Sequence, residues 1–160
     1  MHITMTEKEI SVRIGMYRSD ELPPLEKRLA EDAREASRSA YCPYSHFSVG
    51  AAVYLDNGQT VCASNQENVA FPSGLCAERT AMFYANARYP QARPVAIAIA
   101  ASSGGEFTAR PVSPCGACRQ ALAESERRFG QAIKVIMYGA QESYVAASVA
   151  SLLPLCFDSL

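Results

Sequence analysis

The chain has 160 residues, 49% of them hydrophobic, and a formal net charge of -1. That length supplies one domain with a core that needs no cross-links. Near-neutral charge argues against the basic excess or stripe of a nucleic-acid-binding surface. The longest apolar run, "VAIAIAA" at 95–101, is far too short to span a bilayer. The opening "MHITMTEKEI" lacks the apolar core of a secretory signal. The expected compartment is therefore a reducing cytoplasm, where six cysteines serve metal binding or catalysis more often than disulfides.

In chain order, Ile10, Val12, Ile14 and Met16 alternate with polar or small residues, the two-residue period of a half-buried strand. It belongs to an extension over residues 1–21 and is expected at a sheet edge or an interface. Leu25, Leu29, Ala33, Ala36 and Ala40 then fall at helical spacing, with Pro24 in the first turn, where its missing N–H costs nothing. "FSVGAAVYL", a "DNG" turn and "QTVCAS" predict a β-hairpin, because Asn-Gly accepts the positive φ of a tight turn. A polar stretch over 65–75 leads to a helix over about 76–88. "VAIAIAA" reads as a buried strand whose small side chains let a helix pack closely. A loop over 102–114 follows, then a helix over about 115–128, a strand in "AIKVIMYG", a strand in "SYVAAS" and a short helix ending at Leu153. No repeat or linker divides residues 1–160, so a single domain is expected. The order of elements predicts an α/β layered sheet with helices on both faces.

Two loops each end in a helix that begins with cysteine, in "CAER" (Cys76) and in "SPCGACRQ" (Cys115 and Cys118). Two cysteines three apart can be a disulfide, a redox pair, half of a structural zinc site or two ligands of a catalytic metal. Helix N-termini stabilise thiolate, the metal-binding form, through free N–H groups and the positive dipole end. Cys115 and Cys118 share one face of a first helical turn. If the two helices lie side by side, Cys76 completes three sulfur ligands. Three protein ligands leave one tetrahedral position open for water, which distinguishes catalytic from structural zinc, and such a water ionises near neutral pH. Glu78 does not share the face of Cys76 on an ideal helix, yet a metal off the helix end is within reach of several first-turn side chains. A carboxylate there that is not a ligand has proton transfer as its task. Three thiolates would leave the shell at a net charge of -1, and Arg79 is placed to donate hydrogen bonds to the sulfurs.

"CAERTA" and "SPCGACRQ", with "YCPYSHFSVGAAV" and "NQENVAFPSG" upstream, resemble the small homotetrameric cytidine deaminases of the three-cysteine zinc type. The resemblance runs from about residue 41 to 120 and reaches more loosely to "SLLPLCF". It implies a three-layer αβα cytidine deaminase-like fold with a mixed five-stranded sheet and one zinc ion per chain. The implied partners are a small nucleoside, no nucleic acid or membrane, and further copies of the chain forming a homotetramer with sites at subunit interfaces. Cys76, Cys115 and Cys118 would hold zinc, and Glu78 would carry protons between water and the pyrimidine. Phe47 would stack on the base, Asn65 and Glu67 would bind the ribose, and the Ala77 N–H would meet the base carbonyl. Phe157 would reach the base from a neighbouring subunit. The implied reaction is hydrolysis of cytidine and 2′-deoxycytidine to uridine and 2′-deoxyuridine with release of ammonia, in pyrimidine salvage, through zinc-activated water. Many relatives carry tyrosine where this chain has Phe71, so a hydroxyl contact across the interface is lost here.

Competing readings remain. Within the fold, the alternative is a deaminase of another aminopyrimidine nucleoside, of the blasticidin S type; a polynucleotide editor would need a basic groove. Outside it, the alternative is a non-catalytic zinc-stabilised module with a fourth ligand among Cys42, Cys62, Cys156 or His46. Cys42, Cys62 and Cys156 have no ligand spacing and read as small buried hydrophobes; His46 reads as a rim or surface residue.

Overall fold

The computed structural model describes residues 5–158. One mixed sheet carries the fold, in the order β1-β7-β6-β4-β2-β3 with the short β5 paired to β4. The strands are β1 (Ile14–Arg18), β2 (Phe47–Leu55), β3 (Thr60–Ser64), β4 (Pro94–Ser103), β5 (Glu106–Phe107), β6 (Lys134–Tyr138) and β7 (Glu142–Ala146). Helix α1 (Pro24–Ala36) covers one face, and α2 (Ala77–Arg88) and α3 (Gly116–Phe129) cover the other. β4 and β6 run parallel, so the chain must cross over between them, and it does so through α3. The other neighbours in the sheet are antiparallel.

Alternation along the strands sorts the core into two unequal halves. Ala51, Val53, Ile97, Ile99, Val135 and Met137 face α2 and α3, where they meet Ala77, Ala81, Met82 and Leu122. The intervening Ala52, Ala96, Ala98 and Ala100 face α1 and meet Leu29 and Ala33. A face built on alanine lets α1 lie almost on the sheet backbone. Gly50 marks the closest approach: a Cβ there would lie 1.9 Å from the Ala33 carbonyl oxygen and 2.5 Å from the Ser37 nitrogen.

Five strands, β2, β3, β4, β6 and β7, form the expected mixed sheet, and two more are added to it. Ile14–Arg18 pairs antiparallel with β7 as the expected edge strand, while Ile10 and Val12 lie outside it, exposed. Residues 1–4 of the extension lie outside the described residues. β5 forms because Gly104 and Gly105, both at positive φ, turn the chain back on β4. In the β2–β3 hairpin only Gly58 takes positive φ (84°), and the Asn57 side chain accepts a bond from the Gln59 N–H. This is a longer turn than a two-residue Asn-Gly loop. The expected terminal helix is one 3₁₀ turn, Val149–Ser151. Cys62 and Cys156 are exposed, not buried, because β3 is an edge strand and the tail runs over the surface; Cys42 is half-buried. Among the described residues no helix is long and apolar enough to cross a membrane.

Gly50→Ala should destabilise the fold by about 3 kcal/mol, since backbone on both sides must move to admit one methyl group. Urea unfolding at fixed zinc concentration measures this, and a loss below about 1 kcal/mol would show that α1 can shift freely.

Candidate active site

The loops before α2 and α3 deliver the two helix N-termini to one place. Cys76 and Cys115 are the capping residues of α2 and α3, each in extended backbone, and Cys118 lies in the first turn of α3. The sulfur atoms of Cys76, Cys115 and Cys118 all lie within 4.8 Å of one another, with Cys76 Sγ 3.9 Å from Cys115 Sγ. Tetrahedral zinc with zinc–sulfur bonds of about 2.3 Å needs its sulfurs roughly 3.8 Å apart, so the group fits that ion with little adjustment. No fourth His, Cys, Asp or Glu joins the group among the described residues. Cys118 is buried, Cys76 half-buried and Cys115 exposed, so the group opens to solvent on one side.

The charges around the sulfurs are matched to a cation. The Cys76 thiol is pushed down to about 5, first by the hydrogen bond it shares with Cys118 and then by Arg79 and Cys115. Cys118 is pushed up by the same hydrogen bond and by burial. A dication bound there would favour the thiolate form of its ligands. Arg79 Nη2 lies 3.9 Å from Cys76 Sγ, and its buried Nε has no protein partner. Glu78 is only 5% exposed. Burial, followed by the negative charge on Cys76, raises its carboxyl above the ordinary carboxylate range.

A cavity of about 330 Å³ opens beside Cys76, lined by Asn65, Glu67, Phe71, Leu75 and Arg79 among others. It joins the sugar-side candidates to the sulfur group. Glu67 Oε2 accepts hydrogen bonds from the N–H groups of Tyr44 (2.9 Å) and Ser45 (3.3 Å). The Ser45 and Tyr44 contacts hold the Glu67 carboxyl below its usual range. Asn65 bonds the backbone of β2 through both ends of its carboxamide. Phe47 starts β2 and is half-buried, directly after His46, an exposed residue at φ 55°. Ala77 is the first residue of α2 and fully buried; helix geometry leaves its N–H without an intrahelical partner. Phe71, 74% exposed, sets its ring edge-on to Tyr44 with centroids 5.9 Å apart.

Phe157 lies against α3 of its own chain, where Gln120 donates to its carbonyl (2.7 Å) and accepts from its N–H (3.2 Å). The residue is 68% exposed, at the rim of a cleft of about 580 Å³ between α2 and α3 that Arg79 and Phe83 also line. Sequence reasoning missed Arg119. Its Nε donates to the Pro114 carbonyl (2.8 Å) and its Nη1 to the Leu152 carbonyl (2.7 Å), tying the loop before Cys115 to the tail. A lone arginine after Cys118 offers no signal of that role, because both acceptors are backbone atoms distant in sequence.

A profile of the cytidine and deoxycytidylate deaminase zinc-binding region matches residues 24–133, a span containing all three cysteines and Glu78. The chain belongs to this deaminase family. It is 40% identical over 131 residues to the cytidine deaminase of Halalkalibacterium halodurans, covering 82% of this chain and 92% of that protein. The crystal structure of cytidine deaminase from Burkholderia pseudomallei superposes with a TM-score of 0.69 at 36% identity, covering 81% of this chain and 97% of that one. That from Mycobacterium tuberculosis gives 0.65 at 30% identity, covering 82% and 96%. The family is a zinc-binding one, and the three-sulfur group is where this chain could hold that ion.

Cys118→Ala should lower bound zinc from about one ion per chain to near zero, because two thiolates cannot hold the ion against cellular chelators. Arg79→Gln should keep the ion but weaken its affinity about 10- to 100-fold, as loss of an outer hydrogen-bond donor does. Chelator competition with a colorimetric zinc indicator reads both.

Proposed function

We propose that this chain hydrolyses cytidine and 2′-deoxycytidine to the uridine nucleosides with release of ammonia, as part of pyrimidine salvage in the cytoplasm. One observation carries the reading: a buried glutamate, Glu78, stands at a three-sulfur group that has no fourth protein ligand among the described residues. A non-catalytic zinc module has no use for either feature. Zinc held by Cys76, Cys115 and Cys118 supplies an activated water.

The rest is done by the chain's own residues. Phe47 stacks on the pyrimidine, and the Ala77 N–H binds the base carbonyl. Asn65 and Glu67 hold the sugar from the cavity beside Cys76. As water adds to C4, Glu78 takes its proton and delivers it to N3. Glu78 then moves a second proton from the new hydroxyl to the amino nitrogen; the C4–N bond breaks, ammonia leaves and C4 keeps a carbonyl oxygen. A carboxyl whose pKa is raised by burial suits both transfers. Arg79 offsets the negative charge on the sulfurs.

A homotetramer with sites at its interfaces is part of the same proposal. Val69, Phe71, Phe83, Tyr84, Leu155 and Phe157 are exposed, and Phe71, Phe83 and Phe157 line the clefts that Arg79 also lines. Large apolar side chains left exposed around a site are what a partner copy would cover, and Phe157 would then enter a neighbour's site. Six free cysteines are in keeping with a reducing compartment.

Purified protein should carry about one zinc per chain and consume cytidine and deoxycytidine, followed by ultraviolet absorbance, while leaving adenosine and free cytosine unchanged. Glu78→Gln should retain the zinc and lose kcat by about 10²- to 10⁴-fold, the usual contribution of a positioned acid and base. A zinc-loaded wild-type chain that leaves cytidine intact would sink the substrate assignment, and blasticidin-type nucleosides would be assayed next. Light scattering should return the mass of four 17.3 kDa chains.

A further inference from the structure

The β2–β3 ladder ends at Gly50 opposite Ser64, one residue before the backbone leaves the sheet. The Asn65 N–H still donates to the Val49 carbonyl (3.1 Å), but the Asn65 carbonyl has turned away to accept from the Tyr41 N–H (3.0 Å). The Asn65 carboxamide takes over at that point. Its Oδ1 accepts from the Val49 N–H (2.8 Å) and its Nδ2 donates to the Phe47 carbonyl (2.9 Å). A carboxamide has the donor and acceptor pattern of a peptide group. The side chain therefore adds one more rung to the ladder after the strand backbone has departed.

The residue held by that rung is Phe47. Val49 and Ala51 pack on the α2 and α3 side of the sheet, and the two-residue period of a strand puts Phe47 on that same side. Phe47 has little else to fix it. His46 before it is in left-handed backbone, and the Phe47 N–H is bonded only locally, to the Ser45 hydroxyl (3.1 Å). Without the Asn65 rung, the start of β2 would be held by its pairing with β4, where Phe47 faces Ser103, and by the Cys42 Sγ–Ser48 Oγ contact (3.3 Å), neither of which bonds the Phe47 carbonyl from the β3 side.

We propose that Asn65 is a positioning residue that holds Phe47 in place for base stacking, in addition to lining the sugar cavity. The proposal rests on the reading of Phe47 as the stacking ring. One oxygen lone pair and one N–H of Asn65 stay free for the cavity, so a single side chain aligns the base platform with the sugar site. Asn65→Asp keeps the size and the bond from Val49 but sets a carboxylate oxygen against the Phe47 carbonyl.

The test is a double-mutant cycle of Asn65→Asp with Phe47→Ala, run on cytidine and on 2′,3′-dideoxycytidine, with zinc content and thermal unfolding measured for each variant. Asn65→Asp should retain zinc and lose about 10- to 100-fold in kcat/KM, chiefly through KM, the scale of a misplaced binding group. The loss should persist on the dideoxy substrate and shrink to less than about threefold in the Phe47→Ala background, since coupled residues are not additive. A loss confined to cytidine would mean a sugar contact only and overturn the proposal, as would an equal loss in both backgrounds. Asn65→Ser, small and neutral, runs the same cycle if the aspartate variant does not fold. Failure of the wild-type chain to deaminate cytidine would instead overturn the functional reading on which the proposal rests.

Discussion

Three cysteine sulfurs crowd at one point, and the architecture around them suits the cation that thiolates would need as a partner. Two helix N-termini bring their positive dipole ends to the sulfurs, Arg79 brings a guanidinium to Cys76, and a bound dication would supply the remaining positive charge. Each part is incomplete alone. Cys76 sits 39 residues from Cys115, so the site exists only when α2 and α3 lie on the same face of the sheet with their starts together.

The sheet secures that arrangement through an asymmetric core. The side facing α2 and α3 carries Val, Ile and Met, which fill a thick layer and set the height of both helices above the strands. The side facing α1 carries alanine and Gly50, which bring that helix close and stiffen the sheet from behind. Close packing of this kind transmits small displacements, so α1 can matter to a site that it does not touch. Arg119 closes the structure at the other end by tying the carbonyl before Cys115 to the tail.

The substrate side depends on backbone geometry more than on the chemistry of its side chains. Glu67 and Asn65 were read from sequence as sugar ligands, and each already holds a piece of backbone, Glu67 the Tyr44–Ser45 turn and Asn65 the start of β2. Their remaining polar atoms are what a sugar would meet. Phe71 illustrates the same economy, since its ring meets Tyr44 edge-on where a tyrosine would also offer a hydroxyl.

Much of this was legible beforehand because it is local. Cysteine at a helix start, glutamate two residues later and the two-residue alternation of the strands are short-range patterns, and they pointed to the three cysteines that meet, to the buried Glu78 beside them and to the main elements. The added strands were less so: Ile14–Arg18 pairs with β7, more than 120 residues away, and nothing local shows that an edge is free to receive it. Cys62 was misplaced for a related reason, because whether a strand is central or at an edge is a property of the sheet. The roles of Arg119 and Asn65 were hidden because their partners are backbone atoms, identical in every residue. The sequence by itself determined which groups are present and which helix ends carry them. Only the tertiary structure decided which groups meet, since backbone hydrogen bonds and the partners across a sheet are set by long-range packing that side-chain identity does not encode locally.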